Sequence, residues 1–184
     1  QRIIEHIKNS KEMWSNAGIS AVDMSASYYF DDGYWNGNVW MSHQWFIWKT
    51  MLDNGEADFA FDIAKLALDM WKEETDFTYN TYECFGISAP ICIWANAYFK
   101  PQTVTTGFDV WTDYQKTTDT SAEIKFKYFG NCDKYTMVVT LSDKAQYTAY
   151  LDGKEISFNE RNKGSLEFTF KKDVKGGVLE IKEK

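Results

Sequence analysis

Apolar positions recur at two different periods along the chain, and the change comes close to residue 100. Before that point the spacing is helical. Ile3, Ile4, Ile7 and Trp14 form a partial stripe. Trp40, Gln44, Ile47, Trp48 and Met51 follow a helical repeat that stops at Asp53-Asn54-Gly55, a good C-terminal signal. Ala60, Ile63, Ala64, Ala67, Met70 and Trp71 form a second, stronger stripe. The join between these two helices is short, which predicts an antiparallel helical hairpin. A further helix is predicted from Ser88, a suitable N-cap, with Pro90 in its first turn; it carries Ile91, Trp94, Ala95 and Tyr98 and ends before Pro101. Two long segments without helical period interrupt this half, at about 18–37 and about 75–86. Both are rich in Tyr, Phe, Asn and Asp, and loops of that length in a helical domain are usually functional.

Beyond Pro101 the period becomes two. Strands are expected over Phe108–Tyr114, Ala122–Phe129, Tyr135–Leu141, Gln146–Leu151, Glu155–Asn159, Ser165–Phe170 and Val178–Ile181. Asp152-Gly153 between two of them signals a tight hairpin. Leu166, Phe168 and Phe170 alternate with polar neighbours, the pattern of a strand with one wet face. Regular short strands of this kind predict an antiparallel β-sandwich. The boundary falls near residues 100–106, giving a helical part over 1–102 and a β part over 103–184. There is no internal repeat and no low-complexity tract.

Composition narrows the function classes. The 184 residues carry a net charge of −7, which argues against nucleic acid and anionic membranes as partners, since both call for a basic face. No apolar run is long enough to span a bilayer. Three cysteines (Cys84, Cys92 and Cys132) make no disulfide framework and no zinc motif, and two distant histidines add no metal site. The chain starts at Gln1 inside a helix-like pattern, which suggests a piece of a longer protein. The outlier is aromatic content, 17% of residues with 8 Trp. Part of it must be core; the part in loops has less to pack against.

The loop aromatics gather around Tyr34-Trp35-Asn36-Gly37-Asn38-Val39-Trp40, with Tyr82-Glu83 some forty residues later. A flat ring grips the apolar C–H face of a sugar, and a carboxylate among rings is suited to acid–base cleavage of a glycosidic bond. Glu83 is the candidate catalytic group against the alternative of an exposed loop carboxylate. Trp35, Tyr34, Asn36, Tyr82 and Trp40 are the candidate substrate-binding residues. Trp35 lies between the turn signals Asp32-Gly33 and Asn36-Gly37, where core packing is unnatural; Trp40 opens an apolar stripe, which favours core. Tyr34 and Tyr82 suit either a sugar hydroxyl or packing. Asn36 suits its own turn first. Asp31 and Asp32 are a further pair of carboxylates that also suits a solvated turn. His43 reads as a core or rim histidine, and a thiol mechanism with Cys84 lacks an orienting third group.

The segment Asp32-Gly33-Tyr34-Trp35-Asn36-Gly37-Asn38-Val39-Trp40 resembles the "YW-R-G-(P)-V-W" signature of the processing α-glucosidase and mannosylglycerate hydrolase group of glycoside hydrolases. Tyr82-Glu83-Cys84-Phe85 resembles the group's "YE-(Y/N)-(F/Y)-N-P" element, whose Glu is the catalytic base. The stretch from Ser88-Ala89-Pro90 to Tyr98 is similar to the helix that closes the fold, written "FSWTAA". The order and spacing of all three elements agree over roughly residues 1–100. The family's Arg is Asn36 here, its Asn-Pro is Gly86-Ile87, and the "SW" pair is missing. The resemblance implies the last helical hairpins of an (α/α)6 toroid followed by the β-sandwich. It implies inverting hydrolysis of an O-glycosidic bond, of a glucoside or mannoside type, by two carboxylates roughly 6.5–9.5 Å apart, with Glu83 as base and no cofactor. The family's acid is an Asp on an earlier hairpin that no motif here matches, so the acid is expected upstream, in the rest of the catalytic domain, and this chain alone is expected to be inactive. The rival readings are a non-catalytic carbohydrate-binding or interaction module, in which Glu83 only hydrogen-bonds a hydroxyl, and a structural fragment whose rings are all core.

Overall fold

The computed structural model describes residues 2–73 and 88–184. Among them are four helices and three antiparallel sheets, so the helical half and the β half predicted from the two periods are both present. Two compact units emerge, Gln1–Trp48 with Asp58–Cys92, and Lys49–Ala57 with Ile93–Lys184.

In the first unit, α1 (Arg2–Lys8) is short and buries none of its residues; Ile3 of the partial stripe is exposed. The helix stops because Asn9 turns the chain. Its carbonyl accepts from the amides of Glu12, Met13 and Trp14 at 2.9–3.0 Å, and its Oδ1 accepts from Lys11 N at 2.9 Å. Trp14 therefore falls outside the helix, in a two-strand ribbon of β1 (Trp14–Ser15) and β2 (Gly18–Ile19), and packs edge-on to Phe59 with centroids 5.0 Å apart. His6 ties α1 to the segments on either side of the ribbon, with Nδ1 2.8 Å from Glu12 Oε2 and Nε2 3.3 Å from Asp23 Oδ2. Residues 20–40 form a looped segment with a single bridge, Ser20 to Val39. It leads into α2 (Met41–Asp53), and α3 (Ala57–Glu73) comes next. The expected stripe of α3 is buried at Ala60, Ile63, Ala64 and Ala67, while Trp71 is exposed.

The end of α2 shows how the sequence closes a helix. Gly55 adopts φ +65°, its N–H bonds Leu52 O at 3.1 Å, and Glu56 N bonds Met51 O at 2.8 Å. That is a Schellman closure, which needs a residue free to take a left-handed conformation, and Gly55 supplies it. In the second unit, to which this end of α2 belongs, Asp53 accepts the backbone N–H groups of Phe108 and Asp109 at 2.8 and 3.0 Å. A Cβ on Gly107 would lie 1.8 Å from Asp53 Oδ1, so the close approach depends on a glycine there. Burial pushes the Asp53 carboxyl above its ordinary value, with the two amides and Lys49 pulling it back.

The β half is a sandwich. A four-stranded sheet has the order β3 (Thr103–Thr105), β6 (Lys134–Thr140), β10 (Ser165–Lys171), β9 (Asn159–Asn162). A five-stranded sheet has the order β4 (Val110–Thr117), β5 (Ala122–Tyr128), β11 (Gly176–Glu183), β7 (Tyr147–Leu151), β8 (Lys154–Ile156). All pairings are antiparallel. Inward residues of both sheets form one apolar cluster, with Ile124, Phe126, Tyr135, Met137, Phe168 and Leu179 at its centre. Asp152 and Gly153 take φ +49° and +79°, the conformation of the two-residue hairpin expected between β7 and β8.

Central strand β6 is buried on both faces: Tyr135, Met137 and Val139 face the sandwich core, and Thr136, Val138 and Thr140 are covered on the other side. There α4 (Ser88–Phe99) contributes the Ala97 carbonyl, which accepts from Thr140 Oγ1 at 2.6 Å. On β10 the buried Glu167 carboxylate receives Arg161 Nε and Nη2 and Asn159 Nδ2, each at 2.9 Å. This fork explains why β9, polar along its whole length, still pairs as a strand.

Candidate functional site

The loop before α2 is built by backbone turns. Gly33 N donates to Phe30 O (2.7 Å), Phe30 N to Asn36 O (3.0 Å), and Asn38 N to Gly33 O (3.0 Å). The Asn36 side chain donates from Nδ2 to Tyr28 O, so its amide holds the loop closed, as the turn reading expects. A Cβ on Gly37 would come within 1.8 Å of Phe30 O, so the chain can cross here only at a glycine.

The loop is then clamped from two sides. Ser20 Oγ donates to Gly37 O at 3.1 Å, and Ala21 N to Asn38 O at 3.2 Å. From α2, Gln44 makes a paired amide contact with Ile19: its Oε1 accepts Ile19 N at 2.9 Å and its Nε2 donates to Ile19 O at 2.8 Å. Gln44 is 1% exposed and mimics a strand neighbour for β2. Its place in an apolar stripe gave no hint of that partner, which lies 25 residues earlier.

This scaffold produces an aromatic stack. The Trp35 and Trp40 rings lie parallel within 8°, with centroids 4.8 Å apart. Tyr34 stands edge-on to both, at 4.9 Å from Trp35 and 4.7 Å from Trp40. Trp40 is 5% exposed and donates its indole N–H to Tyr34 O at 2.9 Å. Trp40 is thus core, as its place on the helix suggests, and serves as backing for the outer ring. Trp35 is 68% exposed and Tyr34 45%. One face of the Trp35 indole is stacked on Trp40, and among the described residues no ring covers the other. Tyr28 and Phe30, which the motif did not single out, are also exposed on this loop. Their only sequence signal is that they are aromatic where no period asks for a ring.

Among the described residues, few titratable groups lie near in the chain. Asp31 and Asp32 are exposed, and burial together with Asp31 pushes the Tyr29 phenol up. His43 is exposed, its ring 6.3 Å from that of Trp40, which makes it a rim residue and not a core one. Among the described residues no group of three or more His, Cys, Asp or Glu is placed to hold a metal ion, and no helix is long and apolar enough to cross a membrane. Glu83, Tyr82 and Cys84 lie outside the described residues. The structure therefore brings Tyr34, Trp35, Asn36 and Trp40 together.

Residues 1–86 match the family model of the mannosylglycerate hydrolase MGH1-like glycoside hydrolase domain. The aromatic stack falls inside the matched stretch, and so does the Tyr82-Glu83 pair. No curated protein and no solved structure matches the chain. Residues 1–86 are thus similar to a glycoside hydrolase domain, a kind of domain whose ligand is a carbohydrate.

Proposed function

Taking a glycoside hydrolase segment as the premise, we propose that this chain is the C-terminal part of an inverting glycosidase, with its helices closing an α/α toroid. Glu83 is the general base, which deprotonates the attacking water. The general acid is an Asp supplied upstream of Gln1. The substrate is an α-glucoside or mannoside-type oligosaccharide. The observation that supports this reading best is the open Trp35 face, backed by buried Trp40, inside the stretch that matches the family. A ring fixed on one side and free on the other presents a flat apolar surface at low conformational cost, which suits the C–H face of a sugar. Tyr34 steadies that ring edge-on and offers its hydroxyl to the substrate. Asn36 acts through the loop, and Trp40 through Trp35.

The test is hydrolysis of α-linked disaccharides and aryl glycosides by the longest form of the protein that carries this chain, wild type beside Glu83→Gln, with the released anomer followed by NMR. The reading expects inverted product and loss of turnover in the variant with substrate affinity largely kept, since the lost interaction belongs to the transition state. Equal turnover in the variant would remove Glu83 as base. Sugar binding without turnover in the wild type, changed only modestly by Glu83→Gln, would favour a binding module instead.

A further inference from the structure

The loop scaffold before α2 uses both backbone groups of Asn38 and leaves its side chain out. Asn38 N donates to Gly33 O at 3.0 Å, and Asn38 O accepts Ala21 N at 3.2 Å. The side-chain Nδ2 is buried, and among the described residues it has no hydrogen-bond partner. A buried amide nitrogen in that state has lost its water and gained nothing in return, so each instance calls for an explanation. Asn36, two residues earlier, is the opposite case. Its Nδ2 is tied to Tyr28 O and closes the loop, so it has no N–H group to spare in that direction.

The backbone fixes the side on which Asn38 lies. Val39 bridges Ser20, so the chain is extended there and successive side chains alternate. Val39 is buried toward β2: its Cγ1 lies 3.1 Å from the place a Cβ on Gly18 would take. Asn38 and Trp40, one on either side of Val39, therefore share the other side. Trp40 is the ring on which Trp35 stacks and against which Tyr34 stands edge-on. The spare amide thus shares a side of the chain with the aromatic stack. It is also free to turn. Rotation about the last torsion of an Asn side chain meets no sharp wells, and here it breaks no hydrogen bond of Nδ2.

A sugar lying flat on Trp35 gives its C–H face to the indole and carries its hydroxyls round its edge. Stacking alone accepts that sugar in any rotation about the ring normal; a hydrogen-bond donor fixed beside the ring selects one. Resting on the glycosidase reading above, we propose that Asn38 orients the substrate, its Nδ2 donating to a hydroxyl oxygen of the sugar that stacks on Trp35. The fold bears the cost of keeping that donor unpaired, as active sites commonly do.

The test is Asn38→Leu, which keeps the shape of the side chain and removes its polar atoms, with Asn38→Ala as a second variant that adds no bulk. Two quantities are read: the midpoint of this chain in urea, and KM and kcat of the longest form of the protein that carries it, on α-linked disaccharides of glucose and of mannose. The proposal expects a midpoint equal to that of the wild type or higher in Asn38→Leu, because an apolar group of the same shape suits a site where the amide had no partner. It expects KM to rise about fivefold or more in both variants with kcat nearly unchanged, since the bond is made in the bound substrate and in the transition state alike. A midpoint lowered in both variants would show that the amide serves the fold and would overturn the proposal. An unchanged KM, with the wild type cleaving, would overturn it and leave the glycosidase reading standing. No cleavage of any of these disaccharides by the wild type would remove that reading and this proposal with it.

Discussion

The sandwich interior and the loop before α2 are both rich in aromatic rings, and they use them in opposite ways. In the sandwich, Tyr128 stacks on Tyr135 at 3.9 Å, Phe126 and Tyr135 lie 5.5 and 5.4 Å from Phe170, and all of them are buried. These rings are enclosed by neighbours, so removing one leaves a hole. In the loop, Trp35 has one neighbour stacked on it and one at its edge, and its second face is open. Among the described residues of the first unit, no ring stacks on that face. The same residue type thus serves stability where it is enclosed and is left for a ligand where a scaffold of backbone bonds holds it out. On the outer face of the sandwich, Trp111 and Tyr114 are exposed as well.

Breaking each set should separate the two roles. The largest effect is expected in the sandwich core, where Phe168→Ala should cost about 3–5 kcal/mol in a urea melt, the range for a buried ring replaced by a cavity. Next comes the anchor at the end of α2. Asp53→Ala leaves the Phe108 and Asp109 amides without their acceptor and should cost about 2–4 kcal/mol by the same measurement. The loop scaffold ranks third: Gln44→Ala frees both Ile19 groups and should cost about 1–3 kcal/mol, with faster amide exchange at Ile19. A loss as large as that of Phe168→Ala would mean that the loop is part of a core, and the contrast would fall.

A smaller effect concerns pH. Asp53 binds its proton more tightly when folded than its ordinary value of 3.8 implies, chiefly through burial. Its contribution to stability is therefore fully present below that value and is lost as pH rises through the raised one. Melts of wild type and Asp53→Asn across the acid range should show the wild type losing ground to the variant as pH rises through that window. A difference that moves the other way would contradict the burial argument.

Much of the β half was legible because its period is regular. In β5 the alternation of Ala122, Ile124, Phe126 and Tyr128 with charged neighbours matches the buried and exposed positions residue by residue. Strand β9 was not legible, since Asn159-Glu160-Arg161-Asn162 has no apolar period and joins the sheet through Glu167, a partner on the next strand. Strand β3, three residues long, offers too short a pattern to read. In the helical half, Trp14 looked like a stripe residue because helical spacing does not register the turn that Asn9 imposes. At the loop, Trp35 between its flanking turn signals is exposed. The Gln44 clamp stayed hidden, because an amide bonding a backbone far away in sequence leaves no local signature.

The smallest stability effect carries the most weight. Trp35→Ala should change stability by less than about 0.5 kcal/mol, since the ring is exposed. Its effect on sugar should be large. The decisive measurement is a pair of numbers on this variant, the midpoint of this chain in urea and the KM of the longest form of the protein that carries it, for the substrate found with the wild type. The account predicts an unchanged midpoint with KM raised at least tenfold. A midpoint lowered as far as in Trp40→Ala, with KM unchanged, would show that Trp35 is a packing residue and that the loop is not the sugar site.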